Sequence, residues 1–183
     1  MLYVVRYQAG NGGWALSTII NSTLGYDIVD SGEPHCGEPH RSGNAHWTTL
    51  YQQLVSTKNS MRTQTDCNLD NICLPVIWGH NVPKSARVVI RMFRSSHHEY
   101  TPWYLFNKES GWEYTKPFID NAIKQSQNIS GEFDTSLAFD YPNVEYMQEF
   151  FDKYSLAPTQ QTWDFYQEYV AGNQRLIQQY VQL

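Results

Sequence analysis

Residues 2–24, LYVVRYQAGNGGWALSTIINSTL, decide the fold, because they place a strand signal, a glycine-rich turn and a helix signal in succession. The run 2–6 is apolar and rich in Val and Tyr, which is typical of a strand buried on both faces. After the glycines, apolar residues recur at helical spacing up to Leu24, and Gly25 is a common helix stop. The stretch therefore predicts a β–loop–α unit.

The rest of the chain continues this alternation of strands and helices. We predict further strands over 72–78, 87–93 and 136–140, and helices over 47–55, 114–127, 143–154 and 161–181. Residues 30–45 and 58–71 are predicted loops. Strands that alternate with helices predict a mostly parallel sheet flanked by helices in three layers. Because no domain boundary is visible, we expect a single α/β domain over residues 1–183.

Composition excludes several function classes. The chain has 183 residues, 41% of them hydrophobic, a net charge of -5 and no run of Lys or Arg, so a nucleic-acid partner is not expected. Three cysteines do not form a disulfide framework and suit a reducing compartment. No apolar run approaches the ~20 residues of a membrane span, and the first residues are too soon interrupted by glycine for a signal peptide. We therefore expect a soluble, cytoplasmic protein without a membrane partner.

The turn GNGG is the first candidate site. A helix N-terminus carries unpaired amides and partial positive charge, and glycines let those amides approach an anion closely. The turn is not G-x-x-x-x-G-K-[ST], because no Lys follows Gly12 or Gly13, and it is not G-x-G-x-x-G, because residue 15 is Ala. The residues alone leave two alternatives open, an anion site and a purely structural turn.

A second stretch favours the anion site. Residues 74–108 read LPVIWGHNVPKSARVVIRMFRSSHHEYTPWYLFNK. WGHNVP resembles the K-T-H-L-P turn of the sulfotransferase family, ARVVIRMF resembles the strand that follows it, and RSSHHEYTPWYLF resembles the family's arginine segment. YQAGNGGW resembles the same family's phosphosulfate loop, Y-P-K-S-G-T-T-W, and the pieces occur in the same order. The resemblance covers roughly residues 2–26 and 72–108.

The resemblance implies a P-loop NTPase-like fold and the co-substrate 3′-phosphoadenosine-5′-phosphosulfate. It implies that His80 is the general base toward a hydroxyl or amine acceptor and that Arg94 binds the 3′-phosphate; no metal is implied. The backbone amides implied to hold the 5′-phosphate or sulfate end belong to Gly10, Asn11, Gly12, Gly13 and Trp14.

Three positions depart from the family pattern. Ala9 stands where the family has its loop lysine, Trp78 replaces a second lysine, and Pro102 replaces the serine that shares the 3′-phosphate. Because sulfuryl transfer builds negative charge on the leaving oxygen, a cation must come from elsewhere for turnover. The candidate cations are Arg6, Lys84, Arg91 and His97.

Two function hypotheses therefore stand. The chain is a sulfotransferase acting on a small-molecule, carbohydrate or peptide acceptor, or it is a non-catalytic nucleotide- or anion-binding module of the same fold that has lost turnover. A nucleoside-triphosphate enzyme is disfavoured, because the Gly-Lys-Ser/Thr motif is absent. Taken without the resemblance, His80 is better interpreted as a surface or cap histidine, and only the resemblance makes a general base an equal alternative. Arg94 is interpreted as a phosphate contact in preference to a solvated charge at a strand end. The repeat GEPHCGEPH at 32–40 meets no standard zinc spacing and is predicted to be a plain loop or a lid over the acceptor.

Overall fold

A computed structural model describes residues 1–7, 12–30, 46–48, 69–95 and 131–181. The strands are β1 (Leu2–Tyr7), β2 (Ile28–Asp30), β3 (His46–Thr48), β4 (Ile72–Ile77), β5 (Val88–Phe93) and β6 (Phe133–Asp134). The α-helices are α1 (Gly13–Thr23), α2 (Val144–Lys153) and α3 (Gln160–Val181), and a short π-helix spans Ser136–Asp140. None of the helices in these ranges is long and apolar enough to cross a membrane.

The main sheet has four parallel strands in the order β4–β1–β5–β6, and β2 and β3 form a separate antiparallel pair. This arrangement, with helices flanking the sheet, confirms the predicted α/β class. β1 lies between two neighbours, and Val4 and Val5 are fully buried, as its apolar sequence predicts. Because the four strands are parallel, their carboxyl ends all lie at the same edge of the sheet.

β4 is an edge strand, and α1 covers its open side. The amide of Asn21 accepts a hydrogen bond from the backbone N–H of Cys73 (2.8 Å) and donates one to its C=O (2.9 Å), so it takes the place of a further strand. Peptide groups alternate in direction along a strand, so Pro75, two residues on, also directs its nitrogen away from β1. The missing N–H of this proline therefore costs no ladder hydrogen bond, which explains its place in β4.

An aromatic cluster fills the space between the sheet, the π-helix and the two C-terminal helices. The Phe133 ring packs edge-on against Phe150 with centroids 4.9 Å apart, and the Phe139 ring packs edge-on against Tyr169 at 5.0 Å. α3 contacts both α1 and the π-helix. A hydrogen bond of 2.8 Å between the hydroxyls of Ser22 and Thr162 joins α1 to α3. Aromatic residues of the described ranges thus build much of this core.

Two element predictions are wrong. Trp47, predicted to begin a helix, lies in β3 and pairs with Val29. A segment of three residues is too short to distinguish the helical from the strand spacing of apolar residues, so the pairing with β2 determines its conformation. Residues 136–140, predicted as a strand, form the π-helix, because the Asp134 carboxylate accepts the backbone N–H of Ser136 (3.0 Å) and turns the chain directly after β6. The rest of the predicted helix 47–55, the helix 114–127, and the loop residues 31–45 and 58–68 lie outside the described residues.

Candidate functional site

The strand order brings the predicted site residues to one edge of the sheet. Gly12 follows β1, His80 follows β4 and Arg94 follows β5, and these are three adjacent strands with β1 in the middle. In parallel sheets the crevice at the carboxyl ends is the usual position of a ligand. Gly10 and Asn11, the other residues of the predicted phosphosulfate loop, lie outside the described residues, as does Ala9.

Gly12 and Gly13 are required by the packing around them. Gly12 caps α1 with a φ of 69°, and a Cβ there would lie 2.7 Å from the Tyr169 hydroxyl and 3.0 Å from the Phe139 ring. A Cβ on Gly13 would lie 2.1 Å from Cγ of Tyr7. Both glycines therefore have a steric reason to be glycine that involves no ligand.

The N-terminus of α1 nevertheless has the form that the anion hypothesis needs. The Gly12 carbonyl accepts the N–H of Leu16 (3.0 Å), which starts the helix, and glycine has no side chain with which to cap it. The first amides of a helix have no intrahelical acceptor. Trp14 is buried, with 3% of its surface exposed, so its side chain belongs to the core and only its backbone is a candidate for the site.

His80 is positioned by a tight turn at the end of β4. Its backbone N–H donates to the Ile77 carbonyl (3.1 Å), and Gly79 adopts a φ of 91°. A positive φ at the third position of a turn favours glycine, so the sequence W-G-H fixes this geometry locally. The His80 ring is half-buried. The turn therefore places His80 just past the carboxyl end of β4, the strand that pairs with β1.

Arg94 is buried and ion-paired. Its Nη2 donates to both carboxylate oxygens of Asp140, with 2.6 Å to Oδ1, and the two side chains are 4% and 5% exposed. The Arg94 Nε is buried with no hydrogen-bond partner among the described residues. Asp140 immediately follows Phe139, whose ring lies against the glycine turn. Asp140 was not predictable as a partner of Arg94, because the two are 46 residues apart and no local spacing marks them.

Two of the candidate cations lie next to each other. Arg6 of β1 and Arg91 of β5 are direct partners in the parallel register. The Arg6 guanidinium lies over the Trp78 ring, 4.1 Å from its centroid. Lys84 lies exposed in the turn that leads to β5, and His97 lies outside the described residues.

These observations define the chain as an α/β protein with a parallel sheet, whose central strand leads through a glycine turn into a helix. No family model, curated protein sequence or solved structure matches the chain.

Proposed function

We propose that the chain binds 3′-phosphoadenosine-5′-phosphosulfate at the carboxyl edge of its sheet and transfers the sulfuryl group to a hydroxyl or amine acceptor in the cytoplasm. The observation that carries the proposal is the strand order. It brings the glycine turn, His80 and Arg94 to the ends of three neighbouring strands, although Gly12 and Arg94 are 82 positions apart in the sequence.

Each of the three groups has chemistry that suits this reaction. The amides at the start of α1 suit the phosphosulfate end, because they combine N–H donors with the positive end of the helix dipole. Histidine titrates near neutral pH, so His80 suits proton abstraction from an acceptor hydroxyl. A guanidinium suits phosphate because its N–H groups form a planar fork.

A second candidate function is a nucleotide-binding module that does not turn over its ligand. The observation that favours it is the ion pair between Arg94 and Asp140. Since Nη2 is already bonded to a carboxylate, Arg94 offers a 3′-phosphate only its remaining N–H groups unless Asp140 moves. The absence of a lysine at position 9 favours the same candidate.

Ligand-dependent melting tests the binding step that both candidates share. Titration with 3′-phosphoadenosine-5′-phosphate raises the melting temperature, because a ligand that binds only the folded state stabilises it by mass action. ATP at the same concentrations gives no comparable shift. If neither nucleotide changes the melting temperature, both candidates fail.

Sulfuryl transfer separates the two candidates. The wild-type protein transfers labelled sulfate from 3′-phosphoadenosine-5′-phosphosulfate to at least one member of a panel of phenols, sugars and peptides. His80→Ala lowers that rate by about a hundredfold or more, the contribution of a general base. Asn81→Ala changes an exposed neighbour in the same loop and leaves the rate unchanged. Tight nucleotide binding with no transfer to any acceptor supports the binding module instead, and equal rates for His80→Ala and wild type remove His80 from the mechanism.

A further inference from the structure

Arg6 and Arg91 project from the same face of the sheet, side by side. They are register partners on adjacent parallel strands, which lie about 4.8 Å apart. Successive side chains alternate between faces, and Tyr7 faces α1, because its ring lies against Gly13. Arg6, one residue earlier, therefore faces away from α1, and Arg91 does the same.

This pair of like charges has no carboxylate to neutralise it in the part of the chain that the structure describes. The ion pairs found there involve the N-terminal amine with Asp70 and Arg94 with Asp140. Glu132 is close, but its Oε2 accepts from the backbone N–H of Arg91, at 3.4 Å, and not from the guanidinium. Like charges placed directly opposite one another destabilise a sheet, so such a pair calls for an anion.

The two arginines also differ in a way that suits a binding site. Arg91 is exposed, whereas Arg6 is half-buried and its guanidinium is held over the Trp78 indole. The Arg6 Nε is buried without a hydrogen-bond partner among the described residues. Burial, and after it the charge of Arg91, lowers the pKa of Arg6. Arg6 is thus fixed in position, and Arg91 is accessible from solvent.

We propose that Arg6 and Arg91 form a site for a tetrahedral oxyanion, the phosphate or sulfate group of a ligand, with Trp78 holding the Arg6 guanidinium in place. Guanidinium N–H groups from two neighbouring strands give such a group donors on two sides. The site lies one residue before the carboxyl end of β1, on the face away from α1 and the glycine turn. It is therefore separate from the anion site that the proposed function places at the start of α1, and it stands whether or not that function does.

Melting in inorganic phosphate and in sulfate, at an ionic strength held constant with sodium chloride, tests this site. Both anions raise the melting temperature of the wild type above that in chloride alone. Arg91→Gln weakens the apparent affinity for phosphate about tenfold, because it removes a charge-assisted hydrogen bond. The matched control is Arg87→Gln, which removes the same charge from an exposed arginine immediately before β5 and leaves the affinity unchanged.

Repulsion between Arg6 and Arg91 can also be measured without ligand. In chloride alone, Arg91→Gln melts about 1–2 °C above the wild type, because repulsion between register partners is lost, and saturating phosphate reverses the order. The proposal is wrong if phosphate and sulfate stabilise the wild type no more than chloride does. It is also wrong if Arg87→Gln weakens binding as much as Arg91→Gln does, since diffuse surface charge would then explain the effect.

Saturating 3′-phosphoadenosine-5′-phosphate then identifies the source of the oxyanion. If the nucleotide abolishes the additional stabilisation by phosphate, the arginines hold a phosphate of the donor. If the two effects add, the arginines hold the anionic group of a separate ligand, such as the acceptor. Either result supports the site. A nucleotide that does not bind at all contradicts the proposed function and leaves the phosphate measurements intact.

Discussion

Gly13→Ala is a sharp test of how the glycine turn is built. An added Cβ would lie 2.1 Å from Cγ and 2.2 Å from Cδ1 of the Tyr7 ring. The ring cannot easily retreat, because Tyr7 is only 5% exposed and lies in the main core. Overpacking of this kind costs about 1–3 kcal/mol and occasionally more, whereas alanine in a helix ordinarily gains up to about 1 kcal/mol over glycine. Because the overlap is severe, we expect a net loss of about 2–3 kcal/mol.

The cause can be isolated with a double-mutant cycle. Removing the ring with Tyr7→Ala is itself costly, by about 3–5 kcal/mol for a buried aromatic residue, but it removes the obstacle. In that background Gly13→Ala becomes neutral or stabilising by up to about 1 kcal/mol, so the two changes couple by about 2–4 kcal/mol. Gly25→Ala is the matched control. Nothing lies within 4 Å of a Cβ there, so its cost comes from its φ of 94° alone and is the same with or without the Tyr7 ring.

Urea unfolding at equilibrium, followed by tryptophan fluorescence and by circular dichroism, measures these free energies for all the single and double variants. A loss below about 0.5 kcal/mol for Gly13→Ala would refute the steric argument, since the helical gain would then outweigh the contact. Additive effects of Gly13→Ala and Tyr7→Ala would refute it as well. In that case the glycine would need another explanation, such as close approach of a ligand.

Three further predictions concern buried polar groups, each measured by urea unfolding. Asp140→Asn lowers the free energy of unfolding by about 3–5 kcal/mol, because it leaves the Arg94 guanidinium buried without its counter-charge. The double variant Arg94→Met with Asp140→Leu loses less, because no buried charge remains. A double variant that is less stable than Asp140→Asn contradicts this. Asn21→Ala lowers the free energy of unfolding by about 2–3 kcal/mol and accelerates hydrogen exchange at the Cys73 amide. A Cys73 amide that exchanges as slowly as in the wild type contradicts this. Burial raises the pKa of the Cys73 thiol to about 12, so the unfolded chain loses this proton first and stability falls by about 1.4 kcal/mol per pH unit above about pH 9. Cys73→Ala makes the loss between pH 8 and pH 10 smaller, and an unchanged loss contradicts the assignment.

Elements with a long, regular pattern were predictable from the sequence. The strand predicted over 87–93 is β5, Val88–Phe93, and the helix predicted over 143–154 is α2, Val144–Lys153. β5 is a run rich in residues with high strand propensity, and the apolar residues of α2 recur at helical spacing on its buried face. Short segments were not predictable. Trp47 and the residues 136–140 adopt conformations set by a partner strand and by the Asp134 carboxylate, and neither partner is visible in a local pattern.

The candidate site was only partly predictable, because its contacts depend on strand order and register. W-G-H marks its own turn, since a positive φ requires Gly79. The pairing of Arg6 with Arg91 appears only when β5 is placed beside β1 in a given register, and a shift of one residue would send one of the two to the other face. Asp140 likewise meets Arg94 only through the packing of the π-helix.

The proposed function requires that the amides at the start of α1 bind the anionic end of a nucleotide. Amide chemical shifts of the ¹⁵N-labelled protein, recorded during titration with 3′-phosphoadenosine-5′-phosphate, test it most directly. We expect saturable shifts that are largest at the amides of Gly12, Gly13, Trp14 and Ala15, with smaller ones around His80 at the end of β4. Saturation of the protein with nucleotide that leaves the amide shifts of the first turn of α1 unchanged would contradict this requirement, and so would the absence of any binding.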